Sequence, residues 1–374
     1  MSAGSGDARP RVAAVVTEYR PRSHADVIVG KLLAGYLLDG VATTPRVRVV
    51  SMYVDQFPEN DMARRLSQKH GLPIHRSIGE ALTLGGDGLA VDGLLLIGEH
   101  GDYPTNEKNQ KLYPRRRFFV EAAEVMARSG RAVPTFSDKH LSWSWPETEA
   151  SWREARAMAM PFMAGSSLPV TWRRPPLELP LDADLPEALV IGYGPLESYG
   201  FHALETLQCM VERRQGGETG VGAVRCLRGP AVWEARRIGV WSRELEEAAL
   251  ARAQTKGAGG PEAHCPEPAA FQIEYRDGLR CTVLMLDGYL SEFAFAGRVG
   301  GELASTQFYL ESQEPFGHFA FLVNRFEDMV LTGREPYPVE RTVVTSGALS
   351  FLMESAYRYG ARIETPELGI EYRI

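Results

Sequence analysis

The sequence has little of what several common classes of protein require. Its four cysteines stand at positions 209, 226, 265 and 281, with no C-x-x-C pair, which argues against a disulfide framework or a zinc knuckle. No apolar run approaches the roughly 18 residues that a membrane-spanning helix needs. Residues 1–10 are small and polar and lack a charged start followed by an apolar run. We therefore predict no signal peptide and a cytoplasmic location.

Positive charge is also scarce. Lysine and arginine number 41 against 48 aspartates and glutamates, so the net charge is -7. Nucleic acid is not an expected partner, because a phosphate backbone is bound by a basic surface. The run Arg115-Arg116-Arg117 is a local exception. It is interpreted as a solvated face, with an anionic-substrate clamp or a subunit contact as the alternatives.

The first part of the chain alternates short apolar runs with helical patterns, which is typical of a parallel, doubly wound α/β sheet. Strands are predicted at residues 11–16, 47–54, 93–97 and 132–136. Helices are predicted at residues 27–38, 61–70 and 118–129, the first of them capped by Ser23 with Asp26 three residues later. We expect this Rossmann-like domain to occupy residues 10–145.

The second part changes character, and we expect an α+β domain with a mostly antiparallel open sheet over residues 146–374. Strand-like runs begin at residue 162 and continue at 189–193, 271–275, 281–286, 293–299 and 305–310, separated by turns. Helical patterns lie at 200–213, 243–254, 319–331 and 346–358. The last two helices are expected near the junction of the domains.

Four short segments match motifs of one enzyme family. They are Asp55 at the end of the second predicted strand, Ser137-Asp138-Lys139-His140 after the strand at 132–136, Tyr199-Gly200-Phe201-His202 at the start of a helix, and Gly333-Arg334-Glu335-Pro336 before a serine-rich helix. With the order of the elements, they resemble the Gfo/Idh/MocA family, the glucose–fructose oxidoreductase and inositol dehydrogenase group.

The resemblance implies roles for several residues. Lys139 matches the catalytic lysine of the family's Glu-Lys-Pro motif, although Asp138 and His140 replace its neighbours. Tyr199 and His202 would enter the same site from the second domain. The family also implies a second domain whose sheet commonly pairs subunits, so we expect a homo-oligomer.

The loop after the first strand departs from the family. The family has G-x-G-x-x-G/A there, which lets the backbone approach a pyrophosphate at a helix N-terminus, but residues 17–23 contain no glycine. Glu18 adds negative charge and Pro21 removes an amide donor. Arg20 and Arg22 could bind phosphate through their side chains, and Asp55 stands where family members hold the cofactor ribose. We predict that NAD(P) binds poorly or in a shifted pose; an NAD(P)-dependent oxidoreductase with an unusual phosphate-binding loop is the alternative.

Ionisable residues follow the predicted strands, and the carboxyl ends of parallel strands form one site. The candidates from the first domain are Glu18, His24, Glu99, His100, Asp102, Asp138, Lys139 and His140. With His202, the residues Glu99, His100 and His140 could hold a divalent zinc, manganese or iron ion. Without a metal, Lys139, His202, His140, Asp138 and Tyr199 would serve as a set of general acids and bases.

These residues predict an enzyme that acts on a small polar metabolite, such as a polyol, a sugar or a hydroxy or keto acid. Acid–base or metal-assisted chemistry would make it a lyase or isomerase rather than a classical dehydrogenase. A non-catalytic binding or scaffold protein is the alternative of another class, since a fold by itself does not establish chemistry.

Overall fold

The computed structural model describes residues 7–374, and its first part is built around a parallel sheet. The elements of this part are β1 (Arg11–Val16), α1 (His24–Ala34), β2 (Tyr36–Leu38), β3 (Val41–Thr43), β4 (Arg48–Val54), α2 (Ala63–His70), β5 (Ile74–His75), α3 (Ile78–Thr83), β6 (Gly93–Ile97), α4 (Arg115–Arg128), β7 (Thr135–Asp138), α5 (Trp145–Ala157) and β8 (Phe162–Gly165). The parallel sheet has the strand order β5-β4-β1-β6-β7-β8, while β2 and β3 form a separate hairpin. The predicted Rossmann-like fold is confirmed.

Local signals set several of these elements. The side chain of Ser23 accepts a hydrogen bond from the amide of Asp26, so the predicted N-cap of α1 is formed. Helix α2 ends at Gly71, whose φ of 62° is the left-handed conformation that glycine adopts without strain. The strand predicted at 132–136 begins only at Thr135, after Pro134, and it runs to Asp138. Asp138 is therefore the last residue of a buried strand.

The parallel sheet extends beyond residue 145, where the boundary of the first domain was predicted. Strand β8 pairs in parallel with β7, with Asp138 and Gly165 in register. The expectation that the run at residue 162 starts the antiparallel sheet is therefore wrong. Helix α5 makes the crossover to β8 and was not predicted, because its buried positions include Thr148 and Ser151 and so give a weak apolar stripe.

The second part contains an eight-stranded sheet. The elements of this part are β9 (Trp172–Arg174), β10 (Glu187–Gly192), α6 (Ser198–Val211), β11 (Val221–Arg228), α7 (Pro230–Arg237), α8 (Arg243–Leu250), β12 (Ala269–Tyr275), β13 (Arg280–Met285), β14 (Phe293–Val299), β15 (Glu302–Tyr309), α9 (His318–Thr332), α10 (Glu340–Tyr357) and β16 (Ile363–Glu364). The strand order is β16-β11-β12-β13-β10-β14-β15-β9. Neighbouring strands are antiparallel except β10 and β13, which are parallel. The predicted mostly antiparallel sheet is confirmed.

The central strands of this second sheet are covered on both faces by the chain itself. Successive side chains of a strand point to opposite faces: Val190 of β10 packs in the core that holds α6 and α10, while Leu189 packs with Leu245 and Ala249 of α8. The sequence led us to expect that a second subunit covers one face. That expectation is wrong for these strands, because α7 and α8 occupy the position; a homo-oligomer through another surface stays a prediction.

The C-terminal helices connect the two parts of the chain. Helix α9 places Leu322 and Phe326 in one core with Val12 and Ala14 of β1. Helix α10 packs against α5, α6 and β11. The start of α6 is thereby held over the carboxyl ends of β6 and β7. In the described residues, 7–374, every helix is too short or too polar to cross a membrane.

Candidate active site

Two residues at the carboxyl ends of neighbouring strands have an unusual backbone conformation. His100 follows β6 with a φ of 72°, and Lys139 follows β7 with a φ of 62°. Residues other than glycine adopt this left-handed conformation at an energetic cost, and such strain is concentrated at functional sites. Both residues belong to the predicted site, at the carboxyl ends of β6 and β7.

Lys139 is held by a buried ion triad. Its Nζ lies 3.0 Å from Oε1 of Glu99, and Nη2 of Arg115 lies 2.5 Å from Oε2 of the same carboxylate. Burial by itself would raise the pKa of Glu99, but the charges of Lys139 and Arg115 hold this pKa well below its usual range. The Lys139 ammonium is therefore fixed in one direction. Arg115, from the run interpreted as a solvated face, is in fact buried.

His140 lies between a cation and an anion. Its Nε2 is 3.1 Å from Nη1 of Arg115 and 2.8 Å from Oε1 of Glu197. The same nitrogen cannot accept from the guanidinium and donate to the carboxylate. Burial, followed by the charge of Arg115, lowers the pKa of His140, so the ring is neutral and its Nε2 engages only one of these two partners. Glu197, from the second domain, was not among the predicted residues, and its sequence context carries no motif.

His24 and His100 form a second group on the other side of Lys139. Nδ1 of His24 lies 2.7 Å from Oδ2 of Asp138, and the rings of His24 and His100 are 5.3 Å apart. Nη2 of Arg20 lies 3.3 Å from Nδ1 of His100. Burial, followed by the charge of His24, lowers the pKa of His100 to about 3. His100 is therefore a neutral imidazole at physiological pH.

Tyr199 and His202 approach from the first turn of α6. The centre of the Tyr199 ring is 6.0 Å from Nζ of Lys139 and 5.8 Å from the His202 ring. Burial and then the charge of Lys139 hold the pKa of His202 well below its usual range. The structure thus brings six of the predicted residues close together where the two domains meet: His100, Asp138, Lys139, His140, Tyr199 and His202.

Several buried polar atoms of this cleft have no hydrogen-bond partner among the described residues. They are Nε2 of His100, Nδ1 of His140, Nδ1 of His202, Oδ1 of Asp138 and Nε of Arg115. A buried polar group without a partner costs about 1–3 kcal/mol, and native proteins rarely accumulate such groups. In native proteins such groups are paired with ordered water or with a bound polar molecule.

The predicted metal site is not formed. In the part of the chain that the structure describes, no three or more histidine, cysteine, aspartate or glutamate side chains are arranged to hold a metal ion. The physical reason lies in the neighbours of the predicted ligands Glu99, His100, His140 and His202. The Glu99 carboxylate is neutralised by Lys139 and Arg115, and these two cations would repel a metal ion in the same cleft.

The residues at the end of β1 do not fit a dinucleotide bound in the ordinary way. Asp55 already accepts hydrogen bonds from the hydroxyls of Tyr53 and Tyr103 and from Nη2 of Arg117. Gln56 exchanges two hydrogen bonds of 2.8 and 2.9 Å with the backbone of Asp102. The loop after β6 is thereby tied to the loop after β4. Because these strands flank β1, the connection crosses the carboxyl end of β1, where the dinucleotide of this fold lies.

The two arginines predicted to bind phosphate are not gathered around one ligand. Nε of Arg20 lies 2.5 Å from Oε1 of Glu18, so its charge is neutralised locally. Arg22 is exposed, and its backbone amide donates to Asp26. Tyr19 fills the interior of the same loop and is fully buried. The loop is therefore packed around the Tyr19 side chain.

No protein-family model and no curated protein matches the sequence, but solved structures do. A myo-inositol dehydrogenase from Corynebacterium glutamicum is 12% identical, with a TM-score of 0.56 over 95% of this chain and 98% of its own. A scyllo-inositol dehydrogenase from Lactobacillus casei is 9% identical, with a TM-score of 0.57 over 95% and 98%. GenD2 from gentamicin A biosynthesis, in complex with NAD, is 15% identical, with a TM-score of 0.54 over 95% and 96%. The resemblance to the Gfo/Idh/MocA enzymes is confirmed for the fold; identities this low do not extend it to the reaction.

Proposed function

We propose that the protein is an enzyme that acts on a small polar metabolite, a polyol, a sugar or a hydroxy or keto acid, by acid–base chemistry between its two domains. The observation that carries this proposal is the buried Lys139 ammonium, oriented by Glu99 beside the neutral imidazole of His202. An oriented acid and a neutral base in one polar cleft are the minimum for moving protons on a bound substrate.

The geometry supports distinct tasks for the two groups. Lys139 donates a hydrogen bond to a substrate carbonyl or hydroxyl oxygen and stabilises negative charge that develops there. His202 accepts a proton from the adjacent carbon or hydroxyl through its unpartnered Nδ1. Correctly placed general acid–base groups contribute about 10²–10⁴-fold each to a rate. Proton abstraction next to a carbonyl, followed by reprotonation or loss of a hydroxide as water, makes the reaction an isomerisation or a dehydration.

A nicotinamide-dependent oxidoreductase is the second candidate. It is favoured by the fold that this chain shares with inositol dehydrogenases and with GenD2, which was solved with NAD. It would require that the contacts of Tyr103 with Asp55 and of Asp102 with Gln56 open before a dinucleotide could lie across β1. For this reason we favour the reaction without a nicotinamide.

The experiment that tests the proposal detects proton abstraction without knowledge of the product. The protein is incubated in D₂O with a panel of polyols, sugars, sugar acids and keto acids, and NMR follows deuterium exchange at carbon. We expect exchange in at least one compound, and a loss of at least about 100-fold in Lys139→Met and His202→Gln. His70→Gln, at an exposed histidine on α2, is the matched control and should keep the wild-type rate.

Two outcomes would contradict the proposal. If the folded wild type exchanges and binds no compound of the panel, the non-catalytic alternative becomes the better one. If exchange occurs equally in all three variants, catalysis does not take place at Lys139 and His202.

A further inference from the structure

A large groove lies at the opposite edge of the parallel sheet from the proposed site. Arg11 and Arg48 are the first residues of β1 and β4, so they mark the amino ends of these strands. Both line the groove, together with the last turn of α1 and parts of β2 and β3. The volume of the groove is about 1020 Å³, and pockets for small molecules measure about 300–1,000 Å³. The groove is therefore large enough for a ligand, and it shares no lining residue with the proposed site.

The permanently charged residues that line this groove are all basic. They are Arg9, Arg11, Lys31 and Arg48, and no aspartate or glutamate of residues 7–374 is among the lining residues. The side chains of the three arginines are 39%, 44% and 43% exposed, so a dissolved ligand can reach them. Cations gathered around one groove attract an anion, although the chain as a whole has a net charge of -7.

Two aspartates outside the lining neutralise only part of this positive charge. Oδ2 of Asp7 lies 2.5 Å from Nη2 of Arg9, and the same oxygen lies 3.9 Å from Nε of Arg48. Oδ2 of Asp92 lies 3.8 Å from Nε of Arg11. A separation of 3.9 Å is too long for a hydrogen bond, and Nε of Arg48 is buried without a partner among the described residues. Three arginines are thus matched by two carboxylates.

Lys31 lacks a counter-ion altogether. The residue is 8% exposed, and its Nζ donates a hydrogen bond of 2.6 Å to the carbonyl of Pro315, which also lines the groove. An ammonium has three N–H donors, and in residues 7–374 the other two have no partner. Burial lowers the pKa of Lys31 against the charges of Glu311 and Asp26, but neither carboxylate forms an ion pair with it in the described part of the chain. Buried charges in proteins are normally paired, so an anion is missing beside Lys31.

The N-terminal segment does not carry this missing charge. Residues 1–6, which precede Asp7, contain no aspartate or glutamate. Guanidinium and ammonium groups both bind phosphate, and a phosphate group offers up to two negative charges and several acceptor oxygens. Such a ligand suits cations that lie around a groove better than a single carboxylate does.

We infer that this groove binds a small molecule with two or more phosphate groups, and that Lys31 and Arg48 are among its contacts. Arg9 and Arg11 add positive charge on the solvent side. The inference does not depend on the proposed reaction, because the groove lies at the amino ends of the strands and the proposed site at their carboxyl ends.

Titration calorimetry of the wild-type protein with pyrophosphate and tripolyphosphate at low ionic strength tests the inference. We expect saturable binding that weakens as salt is added, because the groove is open to solvent. Lys31→Met and Arg48→Met should each lower the affinity at least about tenfold, since each removes a charged hydrogen-bond donor. Arg153→Met, at an arginine of α5 whose side chain is 71% exposed, is the control and should keep the wild-type affinity.

Thermal unfolding provides a second measurement that also verifies the fold of the variants. Because Lys31 has no ion pair to lose, Lys31→Met should be at least as stable as the wild type without a ligand. Tripolyphosphate should raise the Tm of the wild type and of Arg153→Met, and it should raise the Tm of Lys31→Met less, because a ligand stabilises the state that binds it.

Three results would overturn the inference. One is the absence of binding by the wild type to either polyphosphate at concentrations up to about 1 mM. The second is equal affinity in the wild type, Lys31→Met and Arg48→Met. The third is binding of citrate without binding of either polyphosphate, which would assign the groove to a carboxylate ligand. None of these measurements uses a substrate, so the groove is tested separately from the proposed function.

Discussion

The hydroxyl of Tyr103 donates a hydrogen bond of 2.6 Å to Oδ2 of Asp55 across the carboxyl end of β1. Asp55 is the residue that the family resemblance assigned to the ribose of a cofactor. Here the carboxylate closes the loop after β6 onto the loop after β4, together with the contacts between Gln56 and Asp102. At the position that the resemblance assigns to the cofactor ribose, this chain has a carboxylate that is already held by two tyrosine hydroxyls and an arginine.

We accordingly predict that NAD, NADP and their reduced forms do not bind at concentrations up to millimolar. Titration calorimetry and the fluorescence of the reduced cofactors are the measurements. Tyr103→Phe is an informative companion, because it removes the hydrogen bond to Asp55 and should admit a dinucleotide more easily if the loop opens. Tight binding by the wild type would make hydride transfer the leading reaction.

The ion triad makes Lys139 important for stability as well as for the proposed chemistry. Removal of one partner of a buried ion pair costs about 3–5 kcal/mol. Arg115 still compensates Glu99, so we expect Lys139→Met to lower the free energy of unfolding by about 3 kcal/mol. The double variant that combines Lys139→Met with Glu99→Gln should lose less free energy of unfolding than the two single variants lose in sum.

The control for this prediction is the exposed pair of Arg153 and Glu149 on α5, with a closest N–O distance of 2.7 Å. Arg153→Met should change the free energy of unfolding by no more than about 0.5 kcal/mol, because water screens an exposed pair. Chemical denaturation measures both variants. Equal losses for Lys139→Met and Arg153→Met would contradict the assignment of Lys139 to a buried triad.

His100 should make the protein sensitive to acid. Its pKa is lowered to about 3 in the folded protein, against about 6.5 in an unfolded chain. The unfolded chain therefore binds an extra proton between these values, and stability falls as the pH falls from about 6.5 towards 3. As the pH falls, the unfolding equilibrium constant of the wild type should rise more steeply than that of His100→Gln. The two slopes should differ by up to about tenfold per pH unit. An unchanged acid profile would show that His100 is not desolvated.

Helix α8 should stabilise the monomer fold and not an interface. Leu245 is fully buried against the second sheet, so Leu245→Ala should cost about 2–5 kcal/mol. The molar mass from light scattering should stay the same in this variant at concentrations where it is folded. A change of mass on this substitution would indicate that the face under α8 takes part in subunit pairing.

Some of the site was accessible from sequence, for a topological reason. Residues that follow the strands of a parallel sheet meet at one edge, so the sequence by itself predicts that His100 and Lys139 lie in one site. Arg115 carried a weaker signal, as the first of three consecutive arginines without an adjacent acid. Glu197 carried none, since a single glutamate in or before a helix has the same pattern whether it faces water or another domain.

The sequence by itself determined the layers of this protein. The Ser23 cap and the alternation of strands and helices in the first domain depend on neighbours along the chain, and both are found in the structure. Only the tertiary structure decided which buried charges face one another. The pairing of Asp138 with His24, and the placement of Glu205 in the space left by Gly165, join residues far apart in sequence. Periodicity reports that a side chain is buried, but the partner that compensates its charge is set by packing in three dimensions.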